Sequence, residues 1–370
     1  MLETTYKIAL TLTPKVGAVT AKNLYRFFGS AEAIFHNSTP ALSKVPGIGL
    51  GIAQSLKDPT ILERAQRTYQ ACVENNLQIY CFDEEAFPKR LTHYHDCPFL
   101  LYTTKKVDFN TSRNLAIIGT RKPSPQGLSI CEELIDHLKN YQPIIISGMA
   151  YGVDICAHTS ALSNQLGTWG VIAHGHQHIY PNSHRKIAQE MVQQTNSGLI
   201  SEYGFFTRAE KEFFPMRNRI VAGLCDAVVV IETPKRGGSM ITAHLANQYD
   251  KEVFAIPGRI QDRLSQGCNH LIKTHKAQLL EKVEDISYIM GWDAPVNSGG
   301  IQQELFVDLS EEEKNIVDLL RKESALHIDQ IATENQQNSG SLAAHLLTLE
   351  FKGIVKSLPG NRFTLFKHPK

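Results

Sequence analysis

Apolar positions along this chain change their period in a way that divides it into parts. In the middle, short apolar runs of strand length recur: Leu115 to Ile118, Ile144 to Ile146, Trp169 to Ala173, Leu199 to Ser201, Val228 to Ile231 and Val253 to Ile256. Between most of them the spacing turns helical, over Gln126 to Lys139, Asp154 to Ser163, His184 to Gln194 and Ile241 to Tyr249. Apolar strands separated by helices predict a parallel sheet covered on both faces. The clearest stretch is Phe213 to Ala243. Arg217, Asn218 and Arg219 open it, an apolar run from Ala227 to Ile231 follows, and Lys235-Arg236-Gly237-Gly238-Ser239 leads into a helical pattern near Met240. A strand, a glycine turn and a helix start place backbone N–H groups and two cations where an anion, most often a phosphate, is favoured.

The flanks have other periods. Residues 1 to 64 are helical, with two similar phrases, Pro14-Lys15-Val16-Gly17 and Pro46-Gly47-Ile48-Gly49, each before a short helix. That is a helix-hairpin-helix pattern, which can point hairpin N–H groups at a DNA phosphate. The segment is only mildly basic, so a structural or protein-contact role is expected ahead of DNA contact. Residues 65 to 291 hold the sheet, and 292 to 303 read as a Gly/Ser/Asn linker. In 304 to 370, Ser310 and Glu313 form a capping box for a first helix. HIDQIATEN is a second helix, SGSLAAHLLTLEFKG a third stopped by Gly353, and a hairpin turns at Pro359-Gly360-Asn361. Three helices and a hairpin make a winged helix. Its third helix is poorly basic, so protein contact or dimerisation is expected ahead of duplex DNA binding.

Composition narrows the class. The 370 residues are 42% hydrophobic and 20% charged, with a net charge of +1, so any affinity for nucleic acid must come from local patches. Seven scattered cysteines without a C-x-x-C fit reduced thiols in a cytoplasm and argue against a disulfide framework. No signal pattern and no bilayer-length apolar run appear, and a cytoplasmic, soluble protein without a membrane role is expected. His174, His176 and His178 alternate, as do His93, His95 and Cys97. On a strand either set would share a face, yet no neighbouring carboxylate completes a metal site, and neither metal nor cofactor is expected.

Ligands of parallel sheets bind beyond the carboxyl ends of the strands. There the sequence puts Gly119-Thr120-Arg121-Lys122, then Ser147-Gly148 and Gly152, then Gly175, then the Lys235 to Ser239 turn. Together they predict a phosphate-binding rim. A P-loop and a strand-borne G-x-G-x-x-G are both absent. Upstream, Tyr203, Phe205, Phe206, Phe213 and Phe214 interleave with Arg208, Lys211, Arg217 and Arg219. Cations beside stacking rings suit single-stranded nucleic acid, and one or two of these rings are expected to be exposed.

In combination these motifs resemble the DNA-processing protein A family, also called DprA or Smf. IIGTRKPSPQG is similar to that family's V-G-S-R-x-x-S-x-Y-G, and SGMAYGVDICAH to its S-G-x-A-x-G-I-D-x-x-A-H. IYP, SEY, FPMRNRIVAGL, RGGSMITA, EVFAIPG and SQGCNHLI follow in the family's order. The resemblance implies an extended Rossmann-like core with a helix-hairpin-helix (SAM-like) domain before it and a winged helix after it. It implies a homodimer joined near residues 265 to 290, binding of single-stranded DNA, and loading of the RecA recombinase during natural transformation. Single-strand-binding protein is a further candidate partner. Carried over, the DNA site is Gly119, Thr120, Arg121, Ser147, Gly148, Gly152, Lys211, Arg217, Asn218, Arg219, Gly237, Gly238 and Ser239. The chain departs from the pattern at Thr120 for Ser, at Tyr151 for a basic residue, at the three histidines, and at Asn182 for a lysine.

The expected function is therefore that of a recombination mediator that protects and hands over single strands, and not of an enzyme. The alternative is a nucleoside-monophosphate glycosidase on the same type of fold. Those enzymes carry P-G-G-x-G-T-x-x-E, whereas no Glu follows the Arg236 to Thr242 turn.

Overall fold

Helices α1 (Glu3–Leu12), α2 (Ala18–Phe28), α3 (Ala31–His36), α4 (Thr39–Leu42), α5 (Leu50–Ser55) and α6 (Pro59–Glu74) open the chain. Local chemistry sets their ends. Ser30 caps α3 by accepting from the Ala33 N–H, and Glu3 accepts from Ala31 and Glu32 at the same helix start. Asp58 caps α6 with Pro59 in its first turn, and Gly29, at φ 79°, ends α2. The computed structural model describes residues 1–107, 109–110, 113–292, 310–322, 326–335, 338–351, 354–358 and 361–365.

The central sheet comprises β1 (Gln78–Cys81), β2 (Leu100–Thr103), β3 (Asn114–Ile118), β4 (Ile144–Ser147), β5 (Thr168–Val171), β6 (Gly198–Ser201), β7 (Ala227–Val230), β8 (Glu252–Ala255) and β9 (Gln278–Leu279). Between them run α7 (Lys89–Thr92), α8 (Pro125–Leu138), α9 (Val153–Ser163), α10 (Arg185–Gln193), α11 (Phe213–Leu224), α12 (Gly238–Gln248) and α13 (Gln266–Lys273). Helix α14 (Val283–Met290) follows β9. Spatial order is β1-β2-β6-β5-β4-β3-β7-β8-β9. Strands β3 to β9 run parallel, and β1 and β2 join antiparallel at one side. The winding reverses between β3 and β7, which makes their carboxyl ends the topological switch point. One face packs on α11, α12 and α13 through residues such as Ile220, Ala243 and Leu271. The other packs on α8, α9 and α14 through Leu134, Ala157 and Ile286.

All six expected strands are present, shifted by one or two residues at their ends. Three others carry no clear sequence signal. β1 and β2 are short and pair antiparallel, and β9 is an exposed two-residue edge. Helix α11 is likewise unannounced. Its Ile220, Val221, Ala222, Gly223 and Leu224 are all buried, so it has no one-sided apolar stripe to betray a helix. The boundary expected at residue 64 falls inside α6. The opening helices share a core with Cys81, Phe99, Leu100 and Tyr102 of the sheet side, so they and the sheet form one compact unit, residues 1–294. Trp292, placed in the linker by its sequence, is buried in that unit, with the Arg113 guanidinium 5.8 Å from its ring. Residues 293 to 303 lie outside the described residues.

The second unit, residues 295–370, contains α15 (Glu311–Lys322), β10 (Leu326–His327), α16 (Ile328–Glu334), α17 (Ser339–Phe351), β11 (Val355–Leu358) and β12 (Arg362–Leu365). The sheet order β10-β12-β11 and a core of Ile316, Leu320, Ile331, Leu342 and Leu346 build the expected winged helix. The capping box is present, with Ser310 N–H donating to Glu313 and Glu313 N–H to Ser310 Oγ. Gly353, Pro359 and Gly360 lie outside the described residues. No helix among the described residues is long and apolar enough to cross a membrane.

Because the opening helices and β2 share one core, Leu100→Ala should destabilise both together, by about 2–5 kcal/mol. Hydrogen exchange of α1 and β4 amides across a urea series checks this, and the two regions should open at the same reduced midpoint.

Candidate functional site

The switch point is held open by Glu232, which follows β7. Its carbonyl accepts from Thr120 N–H at 2.7 Å, and its carboxylate accepts from the Ser124 N–H at 2.8 Å and Oγ at 2.6 Å. Ser124 Oγ in turn caps α8 by accepting from Gly127 N–H. The 119–124 loop is thereby tied to the end of β7 and cannot close over it. Gly152 supports the same loop from α9. Its φ of 82° lies where L side chains are strained, and a Cβ there would strike the Thr120 carbonyl.

Beyond β7 the chain turns at Gly237, the N-cap of α12, and the helix begins at Gly238. This is two residues earlier than the sequence suggests, because glycines mask a helix start. The first N–H groups of such a helix have no intrahelical acceptor, and the helix dipole adds positive potential. Ser239, 8% exposed, stands in this first turn with its Oγ buried and without a partner among the described residues. A buried hydroxyl left unpaired costs free energy that a bound acceptor would recover. Lys235 and Arg236 are exposed just before it.

The floor is Arg217. It is 5% exposed; its Nη1 donates to the Val171 carbonyl at the end of β5, and its Nε donates to Asn218 Oδ1 at 3.2 Å. A Cβ on Gly148 would strike both this guanidinium and the Asp154 carboxylate, so the two charges meet over a residue that has to be glycine. Burial pushes the Asp154 carboxyl up to about 6, against the opposing pull of Arg217.

These elements enclose a cavity of about 710 Å³. Of the residues expected in the site, Gly119, Thr120, Arg121, Gly148, Lys211, Arg217, Asn218, Gly237, Gly238 and Ser239 line it. Ser147, Gly152 and Arg219 stand behind the wall. Ser147 is fully buried and donates to the Ile117 carbonyl. Arg219 is 7% exposed, paired with Glu202, and donates to the Asp96 carbonyl at 2.6 Å. Asp154 and Tyr180 also line the cavity, and sequence reasoning misses both. The signal available for Asp154 is an acid two residues after a turn glycine, opposite an arginine far along the chain.

The expected exposure of a ring between 203 and 214 is not found. Tyr203 stacks on Phe213 at 4.4 Å, Phe205 packs edge-on to Phe206, and all five rings are half-buried. The open rings are Tyr180 and Tyr151, 53% and 50% exposed. Tyr180 meets Phe214 at 5.6 Å, and the Arg121 guanidinium lies 5.7 Å from the same Phe214 ring. The exposed Arg121 and Lys211 are the free cations of the cavity, beside a ready surface for a flat ring.

The histidines are not arranged as ligands. β5 ends at Val171, so 174 to 178 are not in a strand and do not share a face. His174 Nδ1 donates to the Gly175 carbonyl and its Nε2 accepts from Tyr180 N–H, which occupies both nitrogens. His93 and His95 are exposed while Cys97 is buried. Among the described residues, Cys81, Asp83 and Glu84 bring ligand atoms within 4.8 Å of one another. Lys7 Nζ already faces the two carboxylates at 3.4 and 3.6 Å and supplies the positive charge there.

A mostly parallel sheet whose switch point carries cations, a glycine-opened helix start and open rings defines the class as an α/β protein with its site at the strand ends. Residues 78–291 match the DNA recombination-mediator protein A family, 307–361 the DprA winged helix domain and 8–59 a helix-hairpin-helix motif. The chain belongs to the DNA recombination-mediator protein A family, the DprA/Smf proteins. It is 38% identical over 203 residues to the DNA processing protein DprA of Streptococcus pneumoniae, an alignment covering 55% of this chain and 71% of that protein. The crystal structure of DNA processing protein A from the same species superposes with a TM-score of 0.65 at 28% identity, over 79% of this chain and 99% of that one. DNA processing protein A from Helicobacter pylori, solved for its single-stranded DNA binding mode, gives 0.53 at 30% identity over 59% and 97%.

Two outcomes follow from the buried polar groups. Arg217→Met should destabilise the fold by about 1–3 kcal/mol, because it removes a buried charged hydrogen bond to the Val171 carbonyl, whereas the exposed Arg121→Ala should stay within about 0.5 kcal/mol. Urea titration of both variants checks the contrast. His158 is fully buried; its Nε2 donates to the Gly148 carbonyl at 2.6 Å, and burial lowers its pKa from 6.5 to about 4. Its contribution is present in full above pH 6.5 and is lost as pH falls through 4, by up to about 3 kcal/mol. His158→Gln should flatten the stability profile between those values.

Proposed function

We propose that this chain binds single-stranded DNA in the switch-point cavity and acts as a recombination mediator rather than an enzyme. The observation that carries the reading is the buried, unpartnered Ser239 hydroxyl at the start of α12, in a cavity lined by Arg121 and Lys211. A phosphate there accepts from Ser239 and the first helix N–H groups, and the two cations neutralise it. Bases lie against Tyr180 and Phe214, with little sequence preference, since every base has a face to stack. The DNA-processing relatives, one of them solved for its single-strand binding mode, support the same partner. Asp154 is the one carboxylate among the described lining residues, and it faces Arg217 rather than a nucleophile, which favours holding over chemistry.

The bound strand is protected and passed to a RecA-type recombinase in the cytoplasm, as natural transformation requires, with single-strand-binding protein as a further partner. A homodimer supports this by aligning several cavities. Its surface is formed around α14 and β9, where Tyr288 is 87%, Leu279 49% and Ile289 39% exposed.

Fluorescence anisotropy with labelled oligo-dT and a matched duplex, across a salt series, tests the proposal. Each phosphate neutralised on a single strand adds about 0.7 to the log–log salt slope. Arg121→Ala and Lys211→Ala should each weaken single-strand binding and make the slope shallower by about 0.7 for every phosphate that is no longer neutralised. Equal affinity for duplex, or no effect of either substitution, would sink the reading; release of free base from a nucleotide would favour the glycosidase alternative.

A further inference from the structure

A second cleft, of about 420 Å³, opens between α2 and the segment that joins α7 to β2. Lys22, Asn23 and Arg26 come from α2, and Thr92, His93 and His95 from the segment. Among its described lining residues there is no carboxylate. Asp96, next in the chain after His95, accepts from the Tyr249 hydroxyl at 2.8 and 2.7 Å and does not line the cleft.

Lys22 gives the cleft its meaning. It is 7% exposed, and its Nζ makes one hydrogen bond among the described residues, to the His95 carbonyl at 2.9 Å. An ammonium has three donors, so its remaining hydrogens have no described acceptor. Burial lowers its pKa, and Arg26 and Arg219 push the same way against the opposing pull of Cys97 and Asp96. Arg26 is exposed at the rim, its guanidinium 5.5 Å from the Phe82 ring. Asn23, His93 and His95 are exposed beside it. A buried ammonium with a second cation at the rim, and no carboxylate among the described lining residues, is a place where an anion of the right size gains free energy.

We propose that this cleft binds a phosphate group, held by Lys22 and Arg26, as a site separate from the switch-point cavity. A guanidinium grips phosphate through paired N–H donors and the ammonium adds a point charge. The volume exceeds that of a bare phosphate, and the Phe82 and Tyr94 rings along its wall suit a nucleoside attached to it. The phosphate comes either from a free nucleotide or from a nucleic-acid strand. In the second case the inference deepens, and rests on, the single-strand reading.

The full chain is titrated calorimetrically with thymidine 5′-monophosphate, and by anisotropy with oligo-dT. Wild type, Arg26→Ala, Lys22→Met, and Arg121→Ala/Lys211→Ala with and without Arg26→Ala are compared. Removing one charge-assisted hydrogen bond should lower affinity about tenfold. Arg26→Ala should do so in both backgrounds, because the cleft works without the switch-point cations. A weakening seen with the nucleotide alone identifies a free phosphorylated ligand; a weakening with oligo-dT as well identifies a strand. Failure of oligo-dT to bind any variant removes the single-strand reading but leaves the nucleotide arm intact. If Arg26→Ala and Lys22→Met both leave both affinities unchanged, the cleft is not a phosphate site. Thermal unfolding of Arg26→Ala guards against misfolding, since this exposed side chain should leave the midpoint in place.

Discussion

Everything at the switch point hangs on a guanidinium that is not free to bind anything at full reach. Arg217 is threaded under the cavity, satisfied by the carbonyl that ends β5 and set against Asp154 at the start of α9. The ends of β4 and β5, the start of α9 and α11 must keep their places for that buried charge to keep its hydrogen bond to Val171 and its attraction to Asp154. The rim can then be loose where it needs to be. Arg121 and Lys211 stand outside this network, so their positive charge is free for a ligand.

Rigidity elsewhere follows the same division. Glu232 fastens the β3 loop and holds Ser124, the cap of α8, with one carboxylate, while His158 holds the Gly148 carbonyl through a neutral ring. Neither group reaches the open space. What reaches it is backbone at the start of α12, one unsatisfied hydroxyl, two cations and a pair of rings. Under the proposed single-strand reading, such a set recognises what every nucleotide shares, a phosphate and a flat base, and leaves base identity unread.

Much of this is legible in the sequence, for reasons that differ from part to part. Buried parallel strands announce themselves as apolar runs, and six can be placed within a residue or two. The antiparallel pair β1 and β2 stand outside the alternation of strand and long helix that marks the others, and β9 has only two residues. The second half of helix α11, Ile220 to Leu224, is buried on all sides, so its sequence looks like neither a stripe nor a strand. The glycine turns and the hydroxyl are legible because their chemistry is local. Burial is not local, and in the sequence Arg217 and Arg219 look like equals of Arg121. Only packing reveals that the first supports the floor, the second pairs with Glu202, and the third is free. The rings mislead for the same reason, since alternation with cations says nothing about which face is covered.

The sheet also ends in an informative way. At one side the antiparallel β1 lies against the opening helices, and at the other β9 offers only two residues. An edge that short offers too few free backbone groups to template a further strand, so that side of the sheet resists stacking into fibrils through its backbone. Contact between copies at that side of the sheet is thereby left to side chains rather than to backbone pairing.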